Sequence, residues 1–223
     1  LATPPGIGAI AVIRISGKDL KSLYKKITKS QAEPEPRYSN YKTIYNSDDT
    51  PIDNCLITYF NGPKSFTGED VLEISSHGGE FIPKSILGML YKEKVRQAAP
   101  GEFSYRAFLN GKIDLVQAES ISGIISAKTT TNANVQLNNL NGQLSDSVEK
   151  IRKKTIHLLT ILEHELDFSE EEIDFTKSDK INNILSSVYS KIEHILNSSG
   201  FGSTINSGVK VVLCGKPNAG KSS

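Results

Sequence analysis

The chain has 223 residues, of which 37% are hydrophobic and 23% charged, with a formal net charge of +1. That length supports one large or two ordinary domains with real cores, and the near-neutral balance argues neither for nor against a nucleic-acid partner. No apolar run approaches the roughly 18 residues of a membrane span, no secretory h-region opens the chain, and two cysteines, Cys55 and Cys214, are too few for a disulfide framework or a metal cluster. Both cysteines read as buried small hydrophobes in a reducing compartment.

Residues 1–111 read as mixed α/β. The near-continuous apolar run Ile7 to Ile15 predicts a buried strand, broken only by Arg14. Leu20, Leu23 and Ile27 give Asp19 to Lys29 helical spacing, which Glu33-Pro34-Glu35-Pro36 ends. Short strands are expected at Lys42–Tyr45, Asn54–Phe60 and Val71–Ser75, between Asn, Asp, Gly and Pro turn signals. Gly79 to Tyr91 predicts a helix with Phe81, Ile82, Ile86, Met89 and Leu90 on one side and Pro83 tolerated in its first turn.

From about Leu115 the period changes. Leu137, Leu140, Leu144, Val148, Ile151, Leu158 and Leu162 form a stripe at three-and-four spacing. Unbroken from Asn134 to Leu166, it would run roughly 50 Å. A second stripe follows through Ile181, Leu185, Val188, Ile192 and Ile195, with Ser178 placed to cap its start and Gly200 its end. These read as core seams of a helical bundle. The acidic stretch Glu163 to Asp174, which contains His164, reads as a solvated turn between helices rather than a metal site, and Lys150-Ile151-Arg152-Lys153-Lys154 as a solvated helix face.

The chain ends on Gly215-Lys216-Pro217-Asn218-Ala219-Gly220-Lys221-Ser222, a match to the P-loop pattern G-x-x-x-x-G-K-[ST]. It follows the short apolar run Val209 to Cys214, which predicts a buried strand. In such a loop the glycines let backbone N–H groups wrap a phosphate, Lys221 adds a point charge, and the Ser222 hydroxyl can reach Mg²⁺. Nucleotide hydrolysis further needs a water-positioning residue, a second Mg²⁺ contact and a base-specificity loop, so no catalytic residue is assigned in these 223 residues. The chain opens on Leu1 rather than Met and stops at Ser223, one residue past the motif, so a longer protein is expected.

Two charged residues interrupt apolar strands. Arg14 is costly there unless a carboxylate or an anionic ligand pairs it, and Glu73 interrupts Val71-Leu72-Ile74 in the same way. From the sequence alone, Arg14 and Glu73 equally suit a structural ion pair. Lys112, after the Asn110-Gly111 turn signal, is a flexible cation. His77-Gly78-Gly79 has the form of an esterase oxyanion-hole sequence, but no G-x-S-x-G elbow occurs in the chain, so the glycines read as a tight turn or a close backbone approach. His77 reads either as lining a site or as a satisfied turn histidine.

Several stretches together resemble the tRNA-modification GTPase family known as MnmE or TrmE. They are Ala2-Thr3-Pro4-Pro5-Gly6, Ile13-Arg14-Ile15-Ser16-Gly17, the run from Ser65 to Glu73, His77-Gly78-Gly79, Pro100-Gly101-Glu102-Phe103-Ser104 and the run from Arg106 to Lys112. Asp114-Leu115-Val116-Gln117-Ala118-Glu119, Glu172-Ile173-Asp174-Phe175 and Pro217 to Ser223 complete the series, in order along the whole chain. Lys216 stands where many family members carry Arg.

The resemblance implies an α+β folate-binding and dimerisation domain over residues 1–111. The first half of a helical domain would occupy 112–207, and the first strand and P-loop of an inserted α/β GTPase domain 208–223. It implies Arg14, Glu73 and Lys112 as folate contacts, with a 5-formyl or 5,10-methylene tetrahydrofolate derivative as the one-carbon source. It places Asn218, Ala219, Gly220, Lys221, Ser222 and Ser223 on GTP, Ser222 on Mg²⁺ and Asn218 on K⁺, although Asn218 also suits a turn. It implies a cytoplasmic homodimer that works with the flavoprotein MnmG (GidA) on carbon 5 of the wobble uridine of tRNA, at no membrane. Two other readings stand beside it: a folate-binding dimerisation scaffold without chemistry of its own, and a P-loop ATPase unrelated to RNA.

Overall fold

The computed structural model describes residues 1–167 and 178–207 together with Val212, Cys214 and Gly215. The chain divides into two compact units, Leu1–Asp114 and Leu115–Ser223. The first is α+β and the second is helical.

In the first unit, strands β1 (Ile10–Gly17), β2 (Ser39–Tyr45), β3 (Pro51–Phe60) and β4 (Asp70–His77) form one antiparallel sheet in the order β1-β4-β3-β2. Helices α1 (Leu20–Thr28) and α2 (Phe81–Lys92) cover one face of it, α1 against β2 and β4, and α2 against β3 and β4. Alternation along the strands sends Ile13, Ile15, Ile44, Cys55, Ile57, Tyr59, Leu72 and Ile74 into that layer, where they meet Leu20, Tyr24, Ile27, Ile86, Met89 and Leu90. Each such aliphatic or aromatic side chain contributes roughly 1.5–3 kcal/mol when buried, so this layer is what holds the unit together.

The other face has no helix packed on it within the unit. Ile10, Tyr41 and Leu56 stand 65%, 69% and 49% exposed. The strand predicted over Ile7 to Ile15 therefore begins later, at Ile10, and is buried on one face only; Ile7 is fully exposed. The apolar run implied cover on both sides, whereas an antiparallel sheet needs it on one. In α2 the expected apolar side holds at Ile82, Ile86, Met89 and Leu90 but not at Phe81, which is 77% exposed at the helix start. Pro83 lies in the first turn and is buried.

A short helix α3 (Glu102–Leu109) precedes the second unit, which holds α4 (Leu115–Ser126), α5 (Thr130–Leu140), α6 (Gln143–Asp167) and α7 (Ser178–Ser207). The Thr129 hydroxyl caps α5 by accepting from the Asn132 amide at 3.2 Å. The long stripe is not one helix. Asn141-Gly142, with Gly142 at φ +89°, ends α5, and α6 restarts one residue later. Gly200 does not end α7, which continues to Ser207; Ser178 is its first helical residue.

Of the expected seams, Leu158 is buried, while Leu137, Val148, Leu162, Leu185 and Ile192 are exposed by 37% or more. α6 packs on α5 and α7. None of the described helices is long and apolar enough to cross a membrane.

The strand expected over Val209 to Cys214 is described at two positions. Val212 and Cys214 carry no regular structure and are exposed. Cys214 is thus not the buried residue expected, whereas Cys55 is fully buried, and burial beside the Asp53 charge pushes its thiol up to about 12.

Candidate functional site

The charged residues singled out on β1 and β4 meet on the open face of the sheet. Antiparallel pairing sets Arg14 opposite Glu73, and Arg14 Nε donates to Glu73 Oε1 at 2.6 Å. Their side chains are 48% and 29% exposed, so neither bears the full desolvation cost expected of a charge inside a buried strand. Arg14 engages through Nε alone. Among the described residues its terminal nitrogens make no other hydrogen bond, and no donor reaches Glu73 Oε2. Guanidinium donors thus stand beside a carboxylate acceptor on an accessible surface. That set can hold a planar heterocycle carrying both N–H donors and ring acceptors, such as a pterin.

Lys112 does not join this pair. Its Nζ donates to Pro63 O at 3.0 Å, and its backbone N–H donates to Ala107 O at 2.8 Å after the end of α3. The structure brings together Arg14 and Glu73 directly, and Lys112 with the loop between β3 and β4.

That loop is joined to β1 and α3 by a network the sequence reading passed over. The Ser16 and Thr67 hydroxyls share a hydrogen bond of 2.7 Å, and Ser16 Oγ donates to Glu69 Oε2 at 2.8 Å. Arg106 Nη1 donates to the same Glu69 oxygen at 2.7 Å, while Nη2 and Nε donate to Glu102 Oε1 at 2.7 and 3.1 Å. Arg96 also pairs with Glu102, and the Ala99 amide donates to Glu102 Oε2 at 2.8 Å. Hydrogen bonds from Arg96, the Ala99 amide and Arg106 hold the Glu102 carboxyl well below the ordinary carboxylate range. Burial alone would raise Glu69, but Arg106 and Ser16 donate to it and hold it below its usual value. The spacing of Glu102 and Arg106, four apart on one helix, was a visible signal for part of this network.

His77 ends β4 on the same open face. Its backbone N–H donates to Asp53 Oδ2 at 2.8 Å, and its Nδ1 lies 2.7 Å from Asp53 Oδ1. Burial would raise the Asp53 carboxyl, yet these bonds from His77, with that of the Asn54 amide, keep it low. His77 is thus a partnered histidine at a strand end. The glycines after it serve close approach: a Cβ on Gly78 would lie 2.0 Å from Gly8 O, and Gly79 sits at φ +90°.

The nucleotide and cation residues expected at Asn218, Ala219, Gly220, Lys221, Ser222 and Ser223 lie outside the described residues, as does most of the acidic stretch before α7. Among the described residues no group of three His, Cys, Asp or Glu could hold a metal ion. In the basic run, Arg152 and Lys153 pair with Glu149, and Lys154 donates to the Ser187 hydroxyl at 2.6 Å.

Comparison with known families matches residues 1–112 to the GTP-binding protein TrmE N-terminus and residues 115–218 to the MnmE helical domain. Among curated proteins, the tRNA modification GTPase MnmE of Francisella philomiragia is 42% identical over 223 residues, all of this chain and 49% of that protein. Its counterparts in Cytophaga hutchinsonii and Aquifex aeolicus are 40% and 38% identical, again over the whole chain, covering 48% and 50% of their lengths. The chain spans about half the length of the curated relatives it matches.

Proposed function

The chain belongs to the MnmE (TrmE) family, and from that premise we propose that it is the N-terminal part of a GTPase that modifies carbon 5 of the wobble uridine of tRNA together with the flavoprotein MnmG. In this reading the first unit binds a tetrahydrofolate derivative carrying the one-carbon group. The single observation that supports this most is the Arg14–Glu73 pair, exposed on the uncovered sheet face with guanidinium donors and a carboxylate oxygen still available.

Each residue has a distinct part. Glu73 accepts from the amino and ring N–H groups of the pterin, and Arg14 donates to its ring acceptors. Lys112 supplies a cation for the formyl group or the glutamate carboxylates. At the end of the chain, the backbone around Ala219 and Gly220, with Lys221 and Ser223, cradles the GTP phosphates, Ser222 reaches Mg²⁺, and the Asn218 oxygen helps hold K⁺. GTP hydrolysis then drives the conformational cycle of the modification, in the cytoplasm.

The scaffold reading is complementary. Ile10, Tyr41 and Leu56 leave apolar surface exposed on the open sheet face, and a second copy of the chain covering it would make the first unit a dimerisation domain. The ATPase reading is set aside because the relatives described above are all named as tRNA modification GTPases.

The test is tRNA modification by the full protein and its flavoprotein partner with a folate one-carbon donor. Arg14→Ala, in a folded protein, is expected to abolish modification, and Lys221→Ala to abolish GTP hydrolysis. Modification at the normal rate by Arg14→Ala would remove the folate site from this unit.

A further inference from the structure

Lys112 is the one proposed folate contact that stands apart from the Arg14–Glu73 pair, and its placement has a specific cause. The chain leaves α3 through Asn110 and Gly111, the latter at φ +65°. Asn110 Nδ2 donates to Thr67 O at 2.7 Å, which ties the end of α3 to the loop between β3 and β4. Thr67 is itself fully buried and bonded to Ser16, two residues along β1 from Arg14.

Next to Thr67, Gly68 lies at φ +79°, where an added Cβ would stand 3.1 Å from Asn110 Cβ and 3.3 and 3.4 Å from Cγ and Cδ of Lys112. The lysine stem therefore lies across a residue without a side chain, and its ammonium rests on the Pro63 carbonyl of the same loop. A surface lysine ordinarily samples many rotamers; a stem held on one side by a glycine floor loses part of that freedom before any ligand arrives.

We propose that Asn110 and Gly68 are positioning residues for Lys112: the Asn110 amide fixes where the lysine leaves α3, and Gly68 leaves room for its stem, so that the ammonium is held at a set place relative to β1. The Asn110 amide is spent on a backbone carbonyl, so its action on the ligand runs through Lys112. The inference rests on the folate reading above.

The experiment is calorimetric titration of the full protein with 5-formyltetrahydrofolate, using wild type, Asn110→Asp, Lys112→Ala and the double variant. Asn110→Asp keeps the size and turns a donor into an acceptor facing the Thr67 carbonyl. It is expected to weaken binding about tenfold. If Asn110 acts through Lys112, the double variant binds no more weakly than Lys112→Ala alone. Gly68→Ala carries the same test, with the same non-additivity, should Asn110→Asp fail to fold.

A residue with a merely structural role would lower the melting temperature and leave affinity unmoved. Wild-type affinity in Asn110→Asp, or losses that simply multiply in the double variant, overturns the positioning role alone, as does wild-type affinity in Lys112→Ala. A wild-type protein that binds no folate overturns the folate reading and this inference with it.

Discussion

Arg14 and Glu73 face each other across the β1–β4 ladder, Nε to Oε1 at 2.6 Å, on the side of the sheet that no helix of the unit covers. An ion pair that open to solvent contributes roughly 0–1 kcal/mol to folding. Arg14→Ala and Glu73→Ala should therefore each lower unfolding free energy by less than about 1 kcal/mol in urea titrations. A loss of roughly 3 kcal/mol or more, the range of a broken buried pair, would mark the two residues as a structural bridge instead.

The network around Arg106 makes the first unit sensitive to acid. Glu69 and Glu102 are both held below the ordinary carboxyl value of 4.5 in the fold. Their contribution is complete above that value and disappears as pH falls through the lower folded values, because the unfolded chain takes up protons first. Melting temperature should drop as pH falls below about 4.5, and Glu102→Gln should melt lower than wild type near neutrality, with the gap closing in acid. A gap that stays constant down to about pH 3 would contradict the assignment.

Gly78 is a second point of sensitivity. A methyl group there would sit 2.0 Å from the Gly8 carbonyl oxygen, and because the obstacle is backbone, the segment before β1 would have to move. Gly78→Ala is expected to cost about 1–3 kcal/mol. A stability change within roughly 0.5 kcal/mol of zero would show that the segment yields freely.

Cys55 offers a chemical probe of the core. It is fully buried in the sheet–helix layer, and burial, with the Asp53 charge beside it, keeps its thiol up at about 12. Alkylation near pH 8 should spare Cys55 in the native protein and reach it in denaturant. Rapid native-state modification would mean that the layer opens easily.

How far the sequence reading reached follows from what sets each feature. The existence of β1 to β4, α1 and α2 rests on periodicity, and the apolar spacing of Leu20, Leu23 and Ile27 is enough to see α1. The one-sided burial of β1 was not legible, since Ile10 and Val12 are as apolar as Ile13 and Ile15, and only the sheet's partners decide which face is covered. The break at Asn141-Gly142 carried a standard turn signal that the regular stripe on either side obscured. α3 and α4 were missed because Glu102–Leu109 is short and Leu115–Ser126 has little amphipathic contrast.

At the candidate site, Arg14 and Glu73 stood out as charges in apolar runs. That they face each other depends on strand register, which no local pattern specifies. The links from Thr67 to Ser16 and Asn110 join residues 51 and 43 positions apart and arise from tertiary packing alone.

The most direct measurement is calorimetric titration of the protein with 5-formyltetrahydrofolate, beside Arg14→Ala and Glu73→Ala. The folate account predicts saturable binding by the wild type and its loss in both variants while each remains folded. Unchanged affinity in folded variants, or no binding by a folded wild type, would contradict it and leave the first unit as a scaffold.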